Sequence, residues 1–223
     1  MAERPEAPNC LRCERSYART VPQVRLALPV PARDGNLAVD GWAATRFEPG
    51  TTPCHDLAIL RATAHLLHAH LASAVPEQPP GLDDRTGQWA DAERAAYDPE
   101  LATTAAAGRP EPGLADLVAR LVDGLDDTDL GREQLVHADL AGNVLLDAAG
   151  VPFVIDFSPY WRSPLWAEAI CVLDAVLWHG AAPDALDEWR PGAQRQAMLR
   201  AVIFRVLSDV PCDVSRYAAL ELT

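Results

Sequence analysis

Lysine is absent from all 223 residues; the 19 basic side chains are all arginine. That excludes any chemistry requiring a lysine amine, whether as a Schiff-base former or as a phosphate grip. Positive charge is also outnumbered: 32 acidic groups against 19 basic ones leave a formal net charge of −13. Such a balance argues against a nucleic-acid backbone or an anionic membrane as partner. No basic-then-apolar signal segment opens the chain, and no apolar run approaches the ~20 residues of a membrane span. A soluble, cytoplasmic protein is expected. The five cysteines (Cys10, Cys13, Cys54, Cys171, Cys212) are odd in number and scattered, so they form no disulfide framework. Cys10-Leu-Arg-Cys13 is half of a zinc pattern, and with no second pair it reads as two ordinary thiols. What is present is globular composition, with 49% hydrophobic and 23% charged residues, enough for one domain of ordinary size or two small ones.

Residues 1–20 are polar and aperiodic and read as a disordered tail. Gln23–Val30 and Leu37–Glu48 are β-rich runs around Arg33-Asp34-Gly35-Asn36, an Asp-Gly hairpin signal. Thr52-Pro53 predicts an N-cap with proline at N1, and Leu57, Leu60, Ala64, Leu67 and Leu71 follow at helical spacing over His55–Ala74. Four histidines lie in that helix (His55, His65, His68, His70). His65 and His68 could share a face, but no further ligand accompanies them, so a packed or solvated surface is the better reading. A short helix is expected around Trp89–Tyr97, a linker or exposed loop over Leu101–Gly113, and a helix from Leu114 to Leu125. Pro164–His179, Ala193–Ser208 and Ser215–Leu222 also read as helices. Cys171 reads as a buried core thiol.

The chemistry gathers between Gln134 and Ser158. Val144–Leu146 and Val151–Ile155 should pair as a hairpin around Asp147-Ala-Ala-Gly150. His137-Ala-Asp139-Leu-Ala-Gly-Asn143 leads into its first strand, and Asp156-Phe157-Ser158 ends its second. Asp139, Asn143 and Asp156 then meet at one end of a two-stranded ribbon. Phosphoryl transfer uses such a set: one carboxylate orients and deprotonates the attacking hydroxyl, while an amide and a second carboxylate hold Mg²⁺ against the phosphates.

At these residues the chain resembles the aminoglycoside phosphotransferase and choline kinase relatives of the protein kinase fold, whose loop reads H-G-D-x-x-x-x-N before a strand ending I-D. It looks closer to an uncharacterised actinobacterial branch with H-A-D-L-x-G-N-V-L-F and V-I-D-F-S-P-Y-W-R. His137–Leu146 and Val154–Arg162 carry that likeness here, supported by Asp40–Phe47 and Trp89–Ala96. The resemblance implies an α+β, protein-kinase-like fold with a truncated N-terminal sheet and a mainly helical C-terminal lobe. Residues 21–50 would form a remnant hairpin and hinge, and 51–223 the helical lobe with the catalytic-loop hairpin. It implies Asp139 as catalytic base, Asn143 and Asp156 as Mg²⁺ ligands, His137 as loop support, and a nucleotide hinge at Phe47 and Glu48. Arg162 is a candidate contact to phosphate or substrate, weighed against an ordinary ion pair with a carboxylate. Glu168 and Asp174 are candidates to brace the loop.

Three departures stand beside the likeness. Asp139 and Asn143 are four apart where the wider superfamily has five; Ser158 replaces the glycine of D-F-G; and there is neither a Gly-rich loop nor a strand lysine. Arg25 or Arg46, both on expected strands, would have to replace that lysine. Two functions stay open. One is ATP- or GTP-dependent, Mg²⁺-assisted phosphate transfer to a small-molecule hydroxyl, weak or lost in this chain, for which a cationic acceptor would suit the net charge. The other is a non-catalytic pseudokinase or ligand-binding remnant lacking the nucleotide clamp.

Overall fold

The computed structural model describes residues 24–220. The expected tail, with Cys10 and Cys13, lies outside the described residues. The α+β class is as expected: eight short strands and seven α-helices among the described residues, with one 3-10 turn. The described chain forms two compact units. One holds the residues up to Arg85 together with Arg132–Pro164; the other holds Thr86–Gly131 and the residues from Leu165 onward.

In the first unit β1 (Arg25–Leu26), β4 (Thr52–Pro53), β6 (Val144–Leu146) and β7 (Pro152–Val154) make one sheet in the order β1-β7-β6-β4. The β6/β7 hairpin is the expected one, with Val144 opposite Val154 and Leu146 opposite Pro152. Asp147 shapes its turn by accepting the amides of Ala149 and Val151 at 2.9 Å each. Gly150, at φ 77°, takes the left-handed position that a Cβ would disfavour. β1 runs parallel to β7, Leu26 opposite Val154. Val24, Leu26, Val144 and Val154 bury their side chains here, and that burial selects strand over loop in such short runs.

The first hairpin is more broken than expected. Leu28–Val30 does pair with the 44–46 stretch, since Val30 N–H donates to Ala44 O and Arg46 N–H to Leu28 O, both at 2.8 Å. The Asp34-Gly35 turn forms, Gly35 at φ 86°. Within Leu37–Glu48, however, the chain folds on itself again: β2 (Ala38–Val39) and β3 (Trp42–Ala43) pair across Asp40-Gly41. Both of those residues have positive φ (52° and 81°), as a two-residue type I′ turn demands. The second Asp-Gly thus interrupts the expected continuous strand.

The expected cap at Thr52 also moves. Thr52–Pro53 is edge strand β4, where proline's missing N–H faces no neighbour. Asp56 caps α1 (Leu57–Ala74) instead, its carboxylate accepting Ala58 N–H at 2.9 Å and Ile59 N–H at 3.2 Å. Leu60, Ala64, Leu67 and Leu71 form the buried stripe. β5 (Gln134–His137) packs beside α1 and pairs antiparallel with β8 (Pro159–Arg162), a ribbon with no counterpart in the sequence reading.

The second unit is helical: α2 (Gln88–Tyr97), α3 (Pro99–Ala107), α4 (Leu114–Asp123), α5 (Pro164–Trp178), a 3-10 turn (Pro183–Trp189), α6 (Gly192–Ser208) and α7 (Val214–Ala218). Most of the expected loop over Leu101–Gly113 is α3. Asp98 caps it through the amides of Glu100 and Leu101, proline sits at N1, and an alanine-rich body needs little else to stay helical. Trp166 and Phe204 meet edge to face at 5.3 Å, and Trp89 lies 6.1 Å from Phe204. Beneath them Arg205 and Asp174 form a buried two-pronged pair, Nε to Oδ1 at 2.9 Å and Nη2 to Oδ2. Asp174 thus has its buried partner inside the helical unit. Cys171 is buried, as expected.

Asp174→Ala should lower the unfolding free energy by about 3–5 kcal/mol, because it strands the Arg205 cation in the core. Combining it with Arg205→Met should recover much of that loss. Urea titrations of the three variants decide the point, and an Asp174→Ala cost below ~1 kcal/mol would contradict the pairing.

Candidate active site

The site lies wholly in the first unit, at the open end of the β6/β7 hairpin. Asn143 is its centre. Its Nδ2 donates to the backbone carbonyl of Asp139 at 2.6 Å and to Asp139 Oδ2 at 3.1 Å. Its own carbonyl accepts Ile155 N–H at 2.9 Å, which sets Asp156 one residue beyond the last rung of the hairpin. Asn143 N–H closes the loop turn on Leu140 O at 2.9 Å. Asn143 and Asp139 are thus bonded side chain to side chain, and the backbone bond to Ile155 leaves Asp156 as the next residue along the chain. Asp139 and Asn143 are half-buried and Asp156 is exposed.

Asp156 sits at φ +49°, one of two non-glycine residues with positive φ among those described. For Asp40 a type I′ turn explains the strain. Asp156 lies outside such a two-residue turn, just past the end of the β6/β7 hairpin, in a conformation that non-glycine residues adopt at a cost.

His137 lies under this loop, buried, 5.2 Å from the Phe157 ring. Its Nδ1 accepts Ser158 N–H at 3.2 Å, which leaves the ring proton on Nε2. Ala138 N–H returns a bond to Ser158 O at 3.1 Å. The segments entering Asp139 and leaving Asp156 are thus joined by two hydrogen bonds.

One participant escaped the sequence reading. His68 on α1 is buried, and its Nε2 accepts His137 N–H at 3.1 Å. Its backbone carbonyl takes the Gln134 side chain at 2.7 Å. The signal was present: His68 stands four residues after Ala64 and three before Leu71, inside the apolar stripe, whereas His65 is exposed. The two therefore do not share a face. Burial, with smaller contributions from the neighbouring imidazoles of His137 and His65, lowers the His68 pKa from 6.5 to about 3.

Other expected members lie elsewhere. Arg162 pairs with Glu133 at 3.0 Å, at the opposite end of the β5/β8 ribbon from His137. Arg25 is fixed by Glu48 and Asp147, each at 2.9 Å, and lies opposite Phe153, three positions before Asp156 and toward the hairpin turn. It does not stand in for a phosphate-gripping lysine. Of the expected hinge pair, Glu48 is turned into that ion pair and the Phe47 side chain is 82% exposed. Arg46 is exposed.

With Nδ2 bound to Asp139, the Asn143 atom left to a cation is Oδ1. Among the described residues no three His, Cys, Asp or Glu side chains gather as metal ligands. A cation here would rest on Asn143 Oδ1 and the Asp156 carboxylate, with water and ligand oxygens completing its shell. That sparse, all-oxygen set fits Mg²⁺, which keeps several waters, and does not fit Zn²⁺ or a caged Ca²⁺. Among the described residues no helix is long and apolar enough to cross a membrane.

No family model matches the chain, and no curated protein matches it. Among solved structures it is similar to an aminoglycoside phosphotransferase from Alicyclobacillus acidocaldarius subsp. acidocaldarius DSM 446. Identity is 16% and the TM-score 0.45, with 95% of this chain and 76% of that chain covered.

His68 makes stability depend on pH in a definite direction. Its pKa is about 3 in the fold against 6.5 as the ordinary value. Between those limits the unfolded chain binds a proton that the native state excludes. The contribution is complete above pH 6.5 and is lost progressively as pH falls toward 3, at about 1.4 kcal/mol per unit. From pH 7 to pH 5 the wild type should lose about 2 kcal/mol more unfolding free energy than His68→Gln. Equal losses in paired urea titrations would show that native His68 takes up its proton as readily as the unfolded chain does, and would contradict the lowered pKa.

Proposed function

We propose that the chain is a phosphotransferase-like protein that moves the γ-phosphoryl group of ATP or GTP to a small-molecule hydroxyl. The observation that carries this reading is the Asn143 amide bound to Asp139 while its backbone holds the strand that ends at Asp156. Asp139 is the base: its carboxylate accepts the hydrogen bond of the acceptor hydroxyl, aligns the oxygen, and takes the proton as the new O–P bond forms. Asn143 Oδ1 and Asp156 would hold Mg²⁺, which neutralises phosphate charge when bound. His137 keeps the loop in place and touches no reactant. In this reading residues 21–50 serve as a reduced hairpin and hinge whose backbone at Phe47 and Glu48 meets the base, and residues 51–223 as the working lobe. A cationic acceptor suits the net charge of −13.

The catalytic rate is expected to be low. The sequence contains no lysine and no Gly-rich loop, and Arg25 is already neutralised by two carboxylates. A missing phosphate clamp removes several kcal/mol of transition-state stabilisation. That same observation favours the second reading, a pseudokinase or ligand-binding remnant that keeps the oxygen cluster and does no transfer.

Purified protein should show a Mg²⁺-dependent thermal shift with ATP or GTP, and slow or undetectable phosphorylation of amino sugars. Asp139→Asn should abolish whatever turnover exists while sparing the shift. Turnover at about 1–100 s⁻¹, lost in Asp139→Asn, would exclude the remnant. No shift with any nucleotide and Mg²⁺ would exclude the enzyme.

A further inference from the structure

An imidazole buried in an apolar helix stripe is expensive to keep, and a core leucine would fill the same place without loss of a solvated polar group. His68 is nonetheless buried among Ala64, Leu67 and Leu71, and its backbone carbonyl and its Nε2 both bond to one strand. The carbonyl holds the Gln134 amide at the start of β5, and Nε2 holds the His137 N–H at its end. From His137 the bonding continues through Nδ1 to Ser158 N–H and back through Ser158 O to Ala138 N–H. These bonds fix the backbone two residues before Asp139 and two residues after Asp156.

We propose that His68 is a positioning residue for this site: by accepting the His137 N–H it locks the strand end from which the Asp139 loop departs, and through His137 the segment that follows Asp156. It touches no reactant and acts only through His137. The inference rests on the functional reading only in regarding the loop as a phosphotransfer loop; the hydrogen-bonded chain stands without it. The role requires an unprotonated acceptor at one point. Histidine Nε2 lies three bonds from Cβ, and glutamine Oε1 lies three bonds from Cβ as well, so Gln can replace it. Leucine fills the space and accepts nothing.

Backbone amide hydrogen exchange on the full chain tests this in the wild type, His68→Leu and His68→Gln. In His68→Leu the amides of His137, Ala138 and Ser158 should exchange at least tenfold faster, as the loss of a buried acceptor predicts. The amides of Ala27 and Cys54, bonded to the β6/β7 hairpin in the same unit, should change less than threefold. His68→Gln should return all three to within threefold of wild type. Uniform acceleration at every amide, no acceleration at the three, or a glutamine that fails to restore them would each overturn the proposal, reducing His68 to packing. Should His68→Leu fail to fold, His68→Asn, whose carbonyl ends one bond short of Nε2, takes its place under the same criteria. Mn²⁺ as the probe ion separates this from the functional reading. About tenfold weaker Mn²⁺ binding in His68→Leu, rescued by Gln, extends the role to the cation site. A wild type that takes up no Mn²⁺ at Asn143 and Asp156 would remove the Mg²⁺ part of the proposed function, while the exchange pattern still decides on His68.

Discussion

A single side-chain amide donates twice to Asp139, and the carbonyl of the same residue receives the returning strand at Ile155. Everything polar in the site follows from that arrangement. The loop between Ala138 and Asn143 has no ladder of its own, so its backbone groups need partners from outside regular structure. Asn143 supplies them and leaves one oxygen facing outward. An aspartate at position 143 could accept but not donate, and would set a carboxylate against the Asp139 carboxylate. A leucine would leave the Asp139 carbonyl to water. Asparagine at this length donates twice through Nδ2 and keeps Oδ1 as an acceptor.

Around that centre the fold supplies rigidity in two layers. The β6/β7 hairpin sets the distance between Asn143 and Asp156 by register. The β5/β8 ribbon, tied to α1 through His68 and Gln134, sets the level at which Asp139 enters. The strain at Asp156 is compatible with this only because both its flanks are held: Ile155 by Asn143, and Ser158 by His137 and Ala138. A left-handed aspartate costs on the order of 1–3 kcal/mol. Without those flanking bonds the chain would relax into an extended path, turning the carboxylate away from the cluster.

The β6/β7 hairpin was legible because two short apolar runs flank Asp-Ala-Ala-Gly and leave one register. The amphipathic helices were legible from their period, except α3, whose alanines give no apolar contrast and so resemble a linker until Asp98 and Pro99 are recognised as a start. The helix cap was misplaced because Thr52-Pro53 and Asp56 both offer start signals, and the pairing of Thr52 with Leu146 settles the choice through a contact 94 positions away. The β5/β8 ribbon was invisible for the same reason: Gln-Leu-Val-His is too short to announce a strand, and Pro159–Arg162 gives it a partner only in three dimensions. Of the three histidines in α1, only stripe position separates His68 from His65 and His70, and burial without its acceptor role would still have read as packing.

Arg25 illustrates how context, and not residue type, decides what a cation does. On sequence it was eligible to grip phosphate because it lies on a strand near the hairpin. In the structure β1 runs parallel to β7 with Arg25 beside Phe153, so its guanidinium reaches the turn end, over the Phe153 ring at 5.4 Å and between Glu48 and Asp147. Asp147 already accepts two turn amides, which with the Arg25 charge hold its pKa below the ordinary carboxylate range. Drawing Arg25 toward a triphosphate would therefore leave two carboxylates facing each other and loosen the turn that sets the hairpin. The ion pair with Asp147 steadies the turn of the hairpin whose second strand, β7, ends two residues before Asp156. Arg25 is thus committed to the hairpin turn, between Glu48 and Asp147.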